Sequence, residues 1–201
     1  MKSIKKLALM IMLLNSYTAP AQNNQTSSSF AYPKLTIEPG IGIKPYPISD
    51  ILISNILQYN LKKRISFISY SSYTYNSAFL RNYNYIQTNY NYSLTQKIGI
   101  GTTVYSKHFT HTVSFMAGVK YDAFKETLNN PEFEKVSMSV SSYSPDFGLL
   151  YNAKVGKKKY FFSYRMYLPL YPYPFHTKDI NAIDGNLANI TLEFGFGIRL
   201  K

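Results

Sequence analysis

The chain has 201 residues, no cysteine and no tryptophan, and carries 22 lysines and arginines against 10 acidic residues, a formal net charge of +12. One domain's worth of residues without a thiol excludes a disulfide-stapled scaffold, so stability must come from burial or from lipid. The basic balance does not point to nucleic acid: three lysines lie in the first six residues, leaving 22 − 3 − 10 = +9, and others gather in short clusters, Lys62-Lys63-Arg64 and Lys157-Lys158-Lys159, between strand-like runs.

The chain opens with MKSIKKLALMIMLLNSYTAPAQ, in which Lys2, Lys5 and Lys6 precede an apolar run, Leu7–Leu14, and the small-residue site Ala19-Pro20-Ala21. That order is read as a secretory signal peptide over residues 1–21, too short to span a bilayer and remain there. A polar linker follows over 22–34, and the domain proper is expected at 35–201.

Past the linker no stretch has helical periodicity. Segments of roughly ten residues recur instead, the length a tilted strand needs to cross a bilayer. Ten strands are predicted near 35–45, 50–61, 65–76, 83–94, 98–107, 112–123, 135–143, 146–155, 159–168 and 189–200, with eight as the alternative. Tight turns are expected at Lys62-Lys63-Arg64, Thr95-Gln96-Lys97 and Gly156-Lys157-Lys158, and these suit the periplasmic rim of an outer-membrane barrel. Longer connections, above all 169–187 (PLYPYPFHTKDINAIDGNL), suit the outer rim. One segment fits poorly: 124–134 is long yet falls on the short-turn side.

The faces alternate. Val113, Phe115, Ala117, Val119 and Tyr121 share one face of their segment, and Lys120 and Asp122 share the other with Ser114 and Gly118. Phe147, Leu149, Tyr151, Ala153 and Val155 oppose a face holding Lys154, and Tyr160, Phe162, Tyr164, Met166 and Leu168 oppose one holding Arg165. Many of the 20 tyrosines fall near segment ends, where rings with an apolar body and a polar tip sit at membrane interfaces.

The two ends echo each other: residues 35–44 read LTIEPGIGIK and 190–199 read ITLEFGFGIR. First and last strands of a closed barrel must pair to remove the sheet's edges. If facing residues sum to 237, Glu38 meets Arg199, Lys44 meets Glu193, and all four point into the lumen. Ile41, Ile43, Phe194, Phe196 and Ile198 then face lipid. Pro39 and Pro45 share parity and should weaken one seam beside the first strand. The Gly-x-Gly pairs lack the helix a nucleotide site requires.

The leader, SPDFGLLYNAKVGKKKYFFSYRMY at 144–167 and the terminal LEFGFGIRL resemble the small outer-membrane β-barrel proteins common in Bacteroidota. The resemblance spans nearly the whole exported chain and rests on strand and turn patterns. Those proteins' best-known ending is an aromatic final residue, whereas here the end is Leu200-Lys201. It implies an all-β, closed antiparallel up-and-down transmembrane barrel in the bacterial outer membrane, and it carries no catalytic residues.

The function expected is therefore non-enzymatic: a barrel with a charge-filled lumen, formed by the Glu38–Arg199 and Lys44–Glu193 pairs with Lys120, Asp122, Lys154 and Arg165. Its partners are outer-membrane lipid, the barrel-insertion machinery during biogenesis, and a ligand or protein at the outer loops; no cofactor or metal is called for. A porin-like pore is a variant of that reading. The alternative is a rim enzyme acting on lipid or peptide, in which His108, His111 and His176, all expected at outer loops, converge with Asp179 or with Ser106 or Ser114. A soluble secreted β-barrel or sandwich is the third possibility.

Overall fold

The computed structural model describes residues 33–44, 50–61, 64–76, 86–106, 109–129, 132, 134–156, 159–171, 176–177, 180–181 and 190–200. The leader, Pro45, His108 and Asp179 lie outside them. Among the described residues ten strands form: β1 (Leu35–Lys44), β2 (Asp50–Asn60), β3 (Ile65–Asn76), β4 (Ile86–Tyr105), β5 (Phe109–Leu128), β6 (Val136–Val155), β7 (Tyr160–Tyr171), β8 (His176–Thr177), β9 (Ile180–Asn181) and β10 (Thr191–Leu200). Eight of them close an antiparallel barrel in the order β1-β10-β7-β6-β5-β4-β3-β2, and β8 and β9 pair separately.

The barrel thus has eight strands, not ten. Segments 83–94 and 98–107 are one strand, β4, and 135–143 and 146–155 are one strand, β6. Thr95, Gln96 and Lys97 make no turn; they pair with Ser72, Ser71 and Tyr70 on β3 and with Lys120, Val119 and Gly118 on β5. The physical reason is that ladders on both sides satisfy the backbone of this triplet completely, and it holds no glycine, proline or Asn-Gly to favour a turn over them. Ser144 and Pro145 likewise continue β6, opposite Lys120 and Val119. Proline is tolerated there because β6 is an edge below residue 147, where its pairing with β7 begins.

Each merger moves every later connection to the other rim, and the second undoes the first. Connections 61–64, 106–108 and 156–159 therefore share one rim with both barrel ends, and 45–49, 77–85, 129–135 and 172–190 share the other. The poorly fitting segment now belongs to the long-connection rim. Its residues 124–128 extend β5.

Burial follows parity along the strands within the barrel wall. In β2 the even residues Leu52, Ser54, Ile56 and Gln58 are buried, and Ile51, Ile53, Leu57 and Tyr59 are exposed on the outside. Ile41, Ile43, Phe194 and Phe196 are likewise exposed, and Ile198 shares their face. Leu61, Ile65, Phe67, Ile98, Ile100, Phe109, Val113, Phe115, Val155, Tyr160 and Phe162 continue this apolar exterior round the barrel. A water-soluble barrel would reverse the pattern.

The terminal strands do pair, but in a register two residues from the predicted one. Facing numbers sum to 235: Thr36 opposes Arg199, Gly40 opposes Gly195, Ile41 opposes Phe194 and Gly42 opposes Glu193. A slip of two keeps every side chain on its predicted face and changes every partner. At Pro39 the seam expectation fits: among the described residues, Glu38 and Pro39 have no ladder partners on β10, while the β1–β2 ladder is continuous.

Candidate functional site

Two features are built on this frame, a filled lumen and a projecting sheet. In the lumen near the short-turn rim, Glu38 is completely buried and accepts hydrogen bonds from Thr36 Oγ1 and Asn152 Nδ2, both at 2.8 Å. Lys154, reaching across from β6, forms an ion pair with Glu38 and donates to Gln58 Oε1 at 2.7 Å. Gln58 Nε2 donates in turn to Ser66 Oγ at 3.0 Å, and the hydroxyls of Ser66, Thr103 and Thr112 follow at 2.9 and 3.0 Å.

Arg165 lies between two carboxylates, with Nη2 3.7 Å from Glu38 Oε2 and Nη1 3.5 Å from Glu193 Oε2. It also donates to the Glu38 carbonyl at 2.5 Å and to Ser54 Oγ at 3.1 Å. Glu193 accepts from Tyr70 at 2.8 Å, from Thr191 at 3.0 Å, and from Ser54. Glycine makes the room: a β-carbon on Gly40 would stand 2.6 Å from Arg165 Nη1, and one on Gly195 would overlap Nη2. Gly197 instead admits the Phe161 ring, against which Arg199 packs at 4.5 Å.

Toward the long-connection rim, Lys97 Nζ is 2.6 Å from Asp146 Oδ2 and sits 3.1 Å above the Tyr167 ring, whose hydroxyl bonds Asp146. Ile56, Ile68, Tyr70, Met116, Leu150 and Tyr167 pack as an apolar layer. Among the described residues, the ion pairs set Lys44, Lys97, Lys120, Lys154 and Arg165 against Glu38, Asp50, Asp122, Asp146 and Glu193, a formal charge of 5 − 5 = 0. Such a network of compensated pairs can brace the wall.

The predicted lumen residues divide accordingly. Glu38, Glu193, Lys154 and Arg165 come together, but the proposed couples do not: the register places Arg199 opposite Thr36, where it donates to the Gly156 carbonyl at 2.7 Å. Lys44 pairs with Asp50 at 3.5 Å, near the long-connection rim. Lys120 and Asp122 pair with each other at 2.9 Å. Sequence reasoning missed Lys97, read as a turn, and its partner Asp146; the parity of Lys97 with Gly99 and Gly101 was the available signal.

The histidine constellation does not assemble. His111 is the third residue of β5, near the short-turn rim, where Nδ1 lies 2.8 Å from the Tyr151 hydroxyl. The backbone of His176 belongs to β8, within the connection that joins β7 to β10 at the opposite rim. No group of three or more His, Asp or Glu suited to a metal occurs among the described residues.

The second feature follows from length. β4, β5 and β6 each have 20 residues, and the other barrel strands have 10 to 12. Their excess forms a three-stranded sheet rising past the long-connection rim. At its base Tyr73, Tyr92, Tyr121 and Tyr143 make a row of rings across four strands, with centroids 6.0, 6.3 and 4.7 Å apart. Among the described residues, the stretch Val136–Asp146 pairs only with β5, so its other edge is open.

No family model matches the chain, and no curated protein does. Among solved structures, the crystal structure of Ail, the attachment invasion locus protein of Yersinia pestis, is similar, with a TM-score of 0.50 and 9% identity over 83% of this chain and 96% of that one. That likeness is one of fold.

Proposed function

We propose that this chain is a non-enzymatic, integral outer-membrane barrel that seals its own lumen and holds the β4–β6 sheet above the bilayer as a docking surface for an extended polypeptide. The spacing of two exterior aromatic rings along β5 carries the membrane reading. From Phe109 to Tyr121 on β5 is twelve residues. At ~3.3 Å each and a tilt of ~45° that is about 28 Å of height, against a hydrocarbon core of ~30 Å. Between these two levels the exterior is predominantly apolar, and the charges lie inside.

Beyond Tyr121 and Tyr143 the strands run on for seven residues each, Asp122–Leu128 and Val136–Ser142. That lifts the sheet about 16 Å above the belt by the same geometry. The open edge of β6 reads VSMSVSS, without charge or proline, and an edge of this kind accepts a further strand through main-chain hydrogen bonds. The Yersinia pestis protein of similar fold is an attachment invasion locus protein, and attachment agrees with a surface-displayed sheet.

The absence of cysteine makes the test direct. Ser139→Cys is expected to react with a membrane-impermeant maleimide on intact cells, and Lys159→Cys only after the outer membrane is opened. The unboiled protein should migrate faster than the boiled one, and planar bilayers should show no large steady conductance. Reversed labelling overturns the orientation, and steady openings overturn the sealed lumen. Ser139→Lys with Ser141→Lys puts charge on the open edge; a partner held equally well by that variant overturns strand addition.

A further inference from the structure

Among the described residues, the apolar exterior is crossed by a polar row spanning several strands. Register aligns Pro39 on β1, Asn55 on β2, Ser71 on β3 and Gln96 on β4 in a single outward row. Ser69 lies beside it, and the row is tied together where Ser71 Oγ donates to Gln96 Oε1 at 2.5 Å and Gln96 Nε2 donates to Ser69 Oγ at 3.1 Å. The next row toward the long-connection rim is Ile41, Ile53, Tyr73 and Leu94; two rows the other way stand Leu35, Tyr59, Phe67 and Ile100. Pro39, Asn55 and Ser71 fall midway along their strands. The polar row therefore lies inside the belt and not at its border.

The same level carries the gap in the β1–β10 ladder, at Glu38 and Pro39 between the paired Ile37 and Gly40. The far wall is different: β7 presents Tyr160, Phe162, Tyr164 and Met166, and β10 presents Phe194, Phe196 and Ile198. Amides and hydroxyls facing hydrocarbon are costly, because lipid tails supply neither donor nor acceptor. A wall that keeps them in mid-belt is one that something other than lipid covers.

We propose that the β1–β4 wall is the in-membrane interface with a second copy of this chain. An Asn and a Gln amide with serine hydroxyls offer both donors and acceptors, so the row can bond a copy of itself about a twofold axis. Small residues, serine and proline, let two walls approach closely, as at other interfaces within membranes. The row carries no charge, so nothing in it selects a charged partner.

This interface rests on the membrane reading above, and the experiment separates the two. Ile53→Cys, at a position 60% exposed beside the row, and Phe162→Cys, at a position 68% exposed on β7, each give the full chain a single thiol. The proteins are refolded into phosphatidylcholine bilayers at high lipid ratio, checked for the faster unboiled band, and oxidised. Disulfide dimers are expected at least about fivefold more often in the Ile53→Cys chain than in the Phe162→Cys chain, the factor one interfacial hydrogen bond supplies in a membrane. Adding Asn55→Leu and Gln96→Leu to the Ile53→Cys chain should reduce its dimer to the Phe162→Cys level while the folded band remains. Equal cross-linking at the two walls, no dimer at either, or a dimer indifferent to the leucines overturns the interface and leaves the membrane reading standing. A cross-link in native membranes to a different protein overturns the second copy as occupant, and failure of the chain to insert at all overturns both.

Discussion

Arg165→Met is the sharpest probe of the lumen. The guanidinium is wholly enclosed and faces Glu38 at 3.7 Å and Glu193 at 3.5 Å. Its removal falls unequally, because Glu38 keeps Lys154 and Asn152, whereas Glu193 keeps only neutral partners, Tyr70, Thr191 and Ser54. At 3.5 Å and an effective dielectric of about 20, the lost attraction on Glu193 is about 5 kcal/mol before compensation. Orphaning one partner of a buried pair costs about 3–5 kcal/mol in practice. The assay is urea unfolding in phosphatidylcholine bilayers, followed by the loss of the fast-migrating band. Arg165→Met should lower the unfolding free energy by that amount, and Arg165→Met with Glu193→Gln should recover at least half of it, because no carboxylate is then stranded. Lys120→Met is the internal standard: its pair with Asp122 is about a fifth exposed, and its loss should cost less than about 1 kcal/mol. If Arg165→Met proved as mild as Lys120→Met, the lumen network would not brace the barrel.

Three further outcomes are expected. Gly118→Ala sets a β-carbon on the Gln96 carbonyl oxygen and 2.7 Å from Lys97 Cα, so backbone must move, and urea unfolding should show a loss of about 1–3 kcal/mol. Phe194→Lys places a charge on a side chain 67% exposed in the middle of the belt; it should cost about 2–4 kcal/mol in a bilayer and much less in detergent micelles, where the head reaches water. Asp146→Asn leaves Lys97 without its 2.6 Å carboxylate partner and should destabilise by about 3–5 kcal/mol in the same assay, with Lys97→Met in the same chain restoring part of the loss.

Parity was legible in the sequence, and distance along the strand was not. Alternation told which residues of Ile190–Arg199 point in, because the side-chain period is fixed by backbone geometry. It also placed Lys154 and Arg165 inside. The same alternation runs unbroken through Thr95-Gln96-Lys97 and Ser144-Pro145, and reading those polar stretches as turns split two long strands into four. Length was the missing clue: a strand twice what the bilayer needs makes sense only if half of it stands outside. The histidines were placed on one rim for the same reason, since a single false turn before residue 98 carried His111 to the wrong side.

The register and the strand count are two sides of one physical problem. Sequence reasoning sought partners for Glu38 directly across a neighbouring strand, since adjacent pairs are the only contacts a ladder predicts. Its cation comes instead from Lys154 on β6, which is three strands away from β1 round the barrel. That reach exists only because eight strands enclose a space just wide enough for side chains to fill, so opposite walls lie within the length of one lysine. Two more strands would widen the lumen beyond that length and return the charges to their neighbours. The buried network and the closure at eight strands therefore require each other, and neither is written in any local stretch of the chain. Local pattern sets the face of every residue, and the diameter, a property of the whole closed sheet, sets which faces meet.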